Sequence, residues 1–218
     1  MNFVKVSRVL YQILNDLDTK EKIIVTAIEQ FMQFGIRAVT MDDIARLAGV
    51  SKKTIYQEFS DKNQLVLETF QKALEQDECK MKELPQLNNG VIEHLVGLSI
   101  YVRKRFAEMN PFVMNELQRY YPQCWQIFEE FKQKYIYQEI MEVLQKGKEE
   151  GYFRSEINSE IIAAMRVEQM SSLFDPIKFP PSKFNLGELH LEVFEHFLHG
   201  IFTEKGKDTY QKKKTNQQ

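Results

Sequence analysis

Apolar side chains recur along this chain at intervals of three and four residues, and no run alternates apolar with polar as a half-buried strand would. Helices are therefore predicted nearly end to end, and the residues between them set their limits. Ile23, Ala27 and Phe31 mark a first helix that closes at Gly35, and a second starts at Thr40 and stops at Gly49. A third follows Ser51. Ser60 and Asp61 then open a long helix running to Pro85, which the Leu-Asn-Asn-Gly segment at 87–90 separates from another over 91–109. Asn110 and Pro111 start a short helix ending near Tyr121 and Pro122, and a longer one over 125–150 is stopped by Gly151. The last two, 159–174 and 185–203, flank a proline-rich stretch at 175–184.

The two ends read differently from each other. Residues 1–18 carry Phe3, Val6, Val9, Leu10, Ile13, Leu14 and Leu17 at helical spacing, which predicts an amphipathic extension. After Thr203 come Lys205, Lys207, Lys212, Lys213 and Lys214 with polar spacers, the composition of a solvated end. The expected architecture is all-α. It has a helical extension at 1–18, a three-helix unit with a helix-turn-helix at 19–65, a larger helical domain at 66–203 and a basic disordered tail at 204–218.

Chemistry concentrates in residues 40–62. Thr40, followed three residues later by Asp43, can cap its helix in a near capping-box arrangement. Ile44, Leu47 and Ala48 recur toward a core, and small Ala45 lets a second helix cross closely. Gly49 suits the positive φ that turns the chain sharply, Val50 plugs the corner, and Ser51 caps the next helix. On that helix Lys52, Lys53, Tyr56 and Gln57 fall on one side, with Ile55 and Phe59 on the other. One side is wet and the other buried.

Charge sharpens this picture. The 218-residue chain has a formal charge of −2, yet from Arg46 to Gln57 it carries Arg46, Lys52 and Lys53 and no acid. A helix fits the major groove of B-DNA, where lysines suit phosphates. The hydroxyls of Thr54 and Tyr56 can donate to phosphate, and Gln57 or Lys53 can reach a base edge, the amide suiting adenine and the ammonium guanine. A solvated helix in an ordinary three-helix packing is the plainer reading of such a motif taken alone. The remaining length, at 43% apolar content, suffices for a second core. No secretory pattern is present and no apolar run approaches the roughly 20 residues of a membrane helix, so a cytoplasmic protein is expected. Cys79 and Cys124 lack C-x-x-C spacing, which argues against a disulfide framework or zinc ribbon.

The flanks of the motif carry a resemblance. EKIIVTAIEQFMQFGIRAVTMDDIA before the turn and VSKKTIYQEFSDKNQLV after it resemble the TetR family of bacterial transcription regulators, over residues 21–66. The resemblance implies an all-helical homodimer that binds double-stranded operator DNA with its N-terminal helices and a small-molecule effector with its C-terminal ones, usually as a repressor. Family DNA-contact roles then fall on Thr40, Ser51, Lys52, Lys53, Thr54, Tyr56, Gln57 and Lys62. Two positions depart from the family pattern. Lys53 stands where glycine is common, and Glu58 puts a carboxylate near phosphates, repulsive unless it faces Lys62 or the protein.

The last two helices carry Ile161, Ile162, Met165, Met170 and Leu173, and Leu186, Leu189, Val193, Phe194, Phe197 and Ile201, more apolar surface than one pair buries. In the family's architecture such helices pair with their symmetry mates, and two-fold association matches half-sites about 34 to 36 Å apart. Internal packing is the alternative. Between connector and dimer helices, Tyr101, Phe106, Phe112, Trp125, Phe128 and Tyr135, with Met114, Tyr121 and Met141, form a supply for an apolar effector pocket or for plain core. Arg103 and Arg105 could offer a charge to an anionic effector, but are expected at the surface. Of His190, His196 and His199 only the last two share a face, and no carboxylate pair completes a metal set. No nucleophile elbow, phosphate loop or dinucleotide fingerprint is present, so neither catalysis nor a cofactor is expected. Two rivals stand beside the regulator: a helical ligand-binding or scaffold protein that no longer touches DNA, and a thiol switch on Cys79 and Cys124.

Overall fold

The computed structural model describes residues 18–87, 90–107 and 109–215, and the amphipathic extension expected at the N-terminus lies outside them except for Asp18. The fold is all-helical. Helices α1 (Thr19–Phe34), α2 (Met41–Ala48) and α3 (Lys52–Glu58) form the N-terminal unit. The connector α4 (Lys62–Leu87) runs two residues past Pro85. The larger domain contains α5 (Val91–Ala107), α6 (Val113–Tyr120), α7 (Pro122–Phe131), α8 (Tyr137–Glu149), α9 (Ser159–Ser172) and α10 (Leu186–Ile201). The helix expected from residue 125 starts earlier, with Pro122 at its first position, where a missing N–H costs nothing. It is not a uniform rod, because Lys132–Ile136 between α7 and α8 winds as a π-helical turn.

Short-range chemistry explains the helix starts. Asp18 accepts the Glu21 amide at 2.8 Å to begin α1, and Asn158 and Asn185 cap α9 and α10 in the same way. One buried cluster runs from Ile23, Phe31 and Ile44 through Phe59 and Phe70 to Phe128 and Leu186. The connector α4 packs on α1 with one part of its surface and on α5 and α7 with others, so the N-terminal unit and the larger domain share this core. A second cluster, with Ile92, Leu144, Phe153, Phe194, Leu198 and Tyr210, sits under α10.

Two expectations need correction. Residues 204–215 are not a disordered tail but a helix, α11 (Glu204–Thr215), docked on α5. Its lysines hide one strong anchor: Tyr210 is buried and donates to Glu195 at 2.6 Å, while Lys213 and Lys214 pair with Glu93 and Glu195. Gly206 makes the docking possible, since a Cβ there would lie 2.2 Å from the Tyr152 carbonyl. Leu47, expected in the core, is 45% exposed, because Ile44, Ala45 and Ala48 already occupy the inward arc of the two-turn α2. Among the described residues no helix is long and apolar enough to cross a membrane.

Candidate nucleic-acid interface and the cavity behind it

The helix-turn-helix is built from local contacts. Thr40 Oγ1 accepts the Asp43 amide at 3.1 Å while Asp43 Oδ2 accepts the Thr40 amide at 3.1 Å, a complete capping box. The Thr40 hydroxyl also donates to Asp43 at 2.6 Å, and this neighbour, ahead of the Thr40 amide and Arg46, holds the carboxyl below its ordinary range. Gly49 adopts φ 68° and ψ 31°, and the Val50 amide reaches back to Ala45 at 2.9 Å. Ser51 then caps α3 by accepting the Thr54 amide at 3.0 Å, and the two hydroxyls lie 2.8 Å apart.

This frame leaves Lys53, Tyr56 and Gln57 exposed together on α3, with Ile55 fully buried beneath them. Lys52 is exposed as well, but its ammonium lies 2.8 Å from Asp42 on the first turn of α2, the first cause of its raised pKa. Thr40 and Ser51 sit at the helix starts and Thr54 is half-buried by its cap. Lys62 departs from the expected pattern. It is half-buried at the start of α4, burial lowers its pKa, and Glu116 and Arg37 are the charges it senses. Glu58 is half-buried at the last position of α3, and its charge, after that of Glu68, helps to raise the pKa of Lys20. Sequence reading missed Lys22, whose ammonium stands next to the Gly49 turn, and no local signal in the sequence announces it.

Behind this unit lies an apolar cavity of about 140 Å³ lined by α4 to α10 and by Met32 of α1. Tyr101, Phe106 and Phe128 line it, as does Met114. Phe112, Tyr121, Trp125 and Tyr135 do not, and neither does Met141. Phe112 precedes the first turn of α6 and is 46% exposed. Tyr135 is 37% exposed, because the wider π turn shifts the helical phase and buries Lys132 and Ile136 in its place. Trp125 packs 5.4 Å from Phe128 on the far side of the wall, facing a polar groove.

Charged groups punctuate the cavity wall. Arg105, expected at the surface, is half-buried and grips Asp77 through Nε and Nη2 at 2.9 and 3.1 Å, an arrangement Tyr101 joins by donating to the same carboxylate. Arg103 stays exposed, paired with Glu188 at 2.9 Å. Lys132 is buried in the π turn, 2.7 Å from the Ser171 hydroxyl and 2.8 Å from Glu129. Arg166 is 4% exposed, lies against the rings of Phe194 and Phe197, and has no partner for Nη1 among the described residues. Burial lowers its guanidinium to about 10, still protonated at neutral pH. His190 is fully buried and stacks on Phe106 at 4.0 Å; desolvation, then the Arg166 charge, push it down to about 3.

Besides Met32, helix α6 joins the cavity to the N-terminal unit. From α6, which carries Met114 on the cavity wall, the Glu116 carboxylate accepts the backbone amides of Ile36 and Arg37 at 2.7 and 3.1 Å, just before α2. The Arg37 guanidinium covers the ring of Tyr120 at 4.8 Å, and the Asn110 amide donates to the Met32 carbonyl at 2.6 Å. These contacts between residues about 80 apart escape any local reading of the chain. The thiol-switch alternative finds little here: Cys124 is buried and burial raises it to about 11, which keeps it a protonated, unreactive thiol.

Residues 23–69 match the sequence profile described as bacterial regulatory proteins, tetR family. Over 173 residues the chain is 27% identical to the uncharacterized HTH-type transcriptional regulator YvaF of Bacillus subtilis, an alignment covering 78% of this chain and 88% of that one. It is 27% identical over 139 residues to the HTH-type transcriptional repressor KstR2 of Mycobacterium tuberculosis, covering 62% and 70%. Among solved structures, the fatty acid degradation regulator FadR from Bacillus halodurans superposes with a TM-score of 0.64 at 23% identity, covering 85% of this chain and 97% of that one. At that identity the likeness is one of fold.

Proposed function

We propose that this chain, a DNA-binding transcriptional regulator that belongs to the TetR family of bacterial regulatory proteins, is a homodimeric repressor released from its operator by an effector entering the apolar cavity. The observation that carries this reading is the capped α3, which presents Lys53, Tyr56 and Gln57 outward while Ile55 and Phe59 are fully buried. Lys52 and Lys53 meet phosphates, Lys52 exchanging Asp42 for the backbone, and Gln57 reads a base edge. Thr40, Ser51, Thr54 and Tyr56 add hydroxyl contacts that position the helix. Lys62 acts from its half-buried place at the head of α4.

Dimerisation is assigned to α9 and α10. Ile161 and Met165, one turn apart on α9, are 57% and 54% exposed, and half-buried Val193 and Phe197 belong to the neighbouring helix. A closed two-fold pairing through them sets two α3 helices for half-sites about 34 to 36 Å apart. Acting on operator DNA implies a cytoplasmic protein.

Release follows from linkage: a ligand that prefers a dimer with misplaced α3 helices weakens operator binding by the same factor as the operator weakens its own. Such couplings are typically about 1–3 kcal/mol, or roughly 5- to 150-fold. The lever is α6. A ligand pressing on Met114 shifts the helix that holds residues 36 and 37 through Glu116, and α2 and α3 move with them. Footprinting on the promoters beside the protein's own gene, with a salt titration, tests the DNA-binding part. Two protected half-sites one helical turn apart are expected. Indifference to every duplex even at low ionic strength leaves the scaffold reading in its place.

A further inference from the structure

The cavity holds three cations, and two are matched. Arg105 is bidentate on Asp77, and Lys132 has Glu129 and the Ser171 hydroxyl. Arg166 has no carboxylate within ion-pair distance and no acceptor for Nη1 among the described residues, although it is buried and borders the void. Rings of Phe194 and Phe197 at 5.3 Å offset part of its lost hydration, but aromatic faces do not accept the in-plane N–H bonds of a guanidinium. A buried, protonated, half-unsatisfied arginine beside an apolar void is a site short of an anion.

We infer that the cavity takes an apolar carboxylate, its acid group on Arg166 and its hydrocarbon among the phenylalanine and methionine side chains of α4 to α7. This rests on the reading of the cavity as the effector site and names the class of effector. The surroundings fit a single negative charge. Buried His190, which senses the Arg166 charge, is kept neutral and adds no second cation to the site. Glu139 on the same wall, 3.1 Å from His94, disfavours a second negative charge nearby. The void of about 140 Å³ is close to one of about 150 Å³ that holds benzene, and Met32, Met81, Met109, Met114 and Met170 around it can re-pack for a longer chain. The ligand is therefore of medium length, with an aliphatic or aryl body.

Calorimetric titration of the full-length dimer tests this with octanoate and 4-phenylbutyrate against octan-1-ol, octylamine and octyl phosphate. A charge-assisted hydrogen bond predicts carboxylate affinity about 10- to 100-fold above that of the alcohol. Arg166→Met should bring the two together, and Arg166→Lys should retain part of the difference. Melting curves and operator binding without ligand check that each variant is folded; if Arg166→Met fails to fold, the five-ligand comparison on the wild type still decides. Equal or tighter binding of the alcohol, amine or phosphate overturns the inference, as does failure of both carboxylates to bind. Failure of the broader reading looks different. A carboxylate that binds through Arg166 and leaves operator affinity unchanged removes the effector role and keeps the ligand class, whereas release by octan-1-ol as effective as by octanoate does the reverse.

Discussion

The reading unit and the cavity domain settle their polar groups in opposite ways. In residues 18–61 the helix starts are closed by their own side chains, Asp18, Thr40 and Ser51, and no buried side-chain polar atom there lacks a partner among the described residues. In the larger domain Thr69, Arg166, Gln169 and His190 each carry a buried side-chain polar atom without a partner among the described residues, and His94 sits 3.1 Å from Glu139 without an aligned hydrogen bond. A surface made for a rigid polyanion can keep its interior closed and turn its charges outward. On the effector-site reading proposed above, the cavity domain holds polar atoms in reserve, at a cost in stability that a bound ligand repays.

The largest test of this contrast compares two cores. Ile55→Ala beneath α3 should cost about 2–5 kcal/mol in urea unfolding, because the site is fully enclosed. Met114→Ala borders an existing void and should fall at or below the bottom of that range. Equal costs would break the distinction between a closed and an open interior.

Acid should weaken the cavity domain through His190. Its imidazole has a pKa of about 3 when folded and about 6.5 when exposed, so between those values the unfolded chain holds a proton the folded one lacks. Stability therefore falls as pH falls, by about 1.4 kcal/mol per unit, reaching a loss of about 3 kcal/mol from this group at pH 4. Urea unfolding at several pH values should show this slope reduced in His190→Phe, and an unchanged slope rejects the assignment.

Glu116→Gln addresses the joint between the regions. Two charge-assisted bonds to backbone amides become weaker neutral ones, for an expected loss of about 1–2 kcal/mol in unfolding measurements. More tellingly, ligand should then change operator affinity less than in the wild type, and retention of full coupling excludes α6 as the lever. The smallest effect is at the surface. Lys53→Ala should leave stability within about 0.5 kcal/mol while flattening the log-log salt dependence of operator binding by about 0.9, the signature of one lost phosphate contact. Asp42→Asn, which frees Lys52, should move operator affinity upward.

The reading unit was legible in the chain because its determinants act within four residues. The capping box at Thr40, the left-handed Gly49, the Ser51 cap and the Ile55 and Phe59 face follow from spacing alone, and the family resemblance rests on the same stretch. Leu47 was the exception, since two turns of helix offer too narrow an inward arc to hold every apolar residue at helical spacing. Farther along, periodicity located helices without revealing their phase or neighbours. The π turn at Lys132–Ile136 rotated Tyr135 outward, Phe112 fell just ahead of a helix, and a lysine-rich end became ordered through Tyr210 and a glycine that admits the Tyr152 carbonyl.

Helical content, the turn at Gly49 and the outward placement of Lys53, Tyr56 and Gln57 were decided by the order of residues, because propensity, capping and side-chain spacing are local forces. Whether an aromatic ring lines a void, whether Arg105 or Arg166 finds a carboxylate, and which loop Glu116 grasps were decided only when distant helices packed together. Burial and pairing depend on the partner across the core, and no window of the sequence contains that partner.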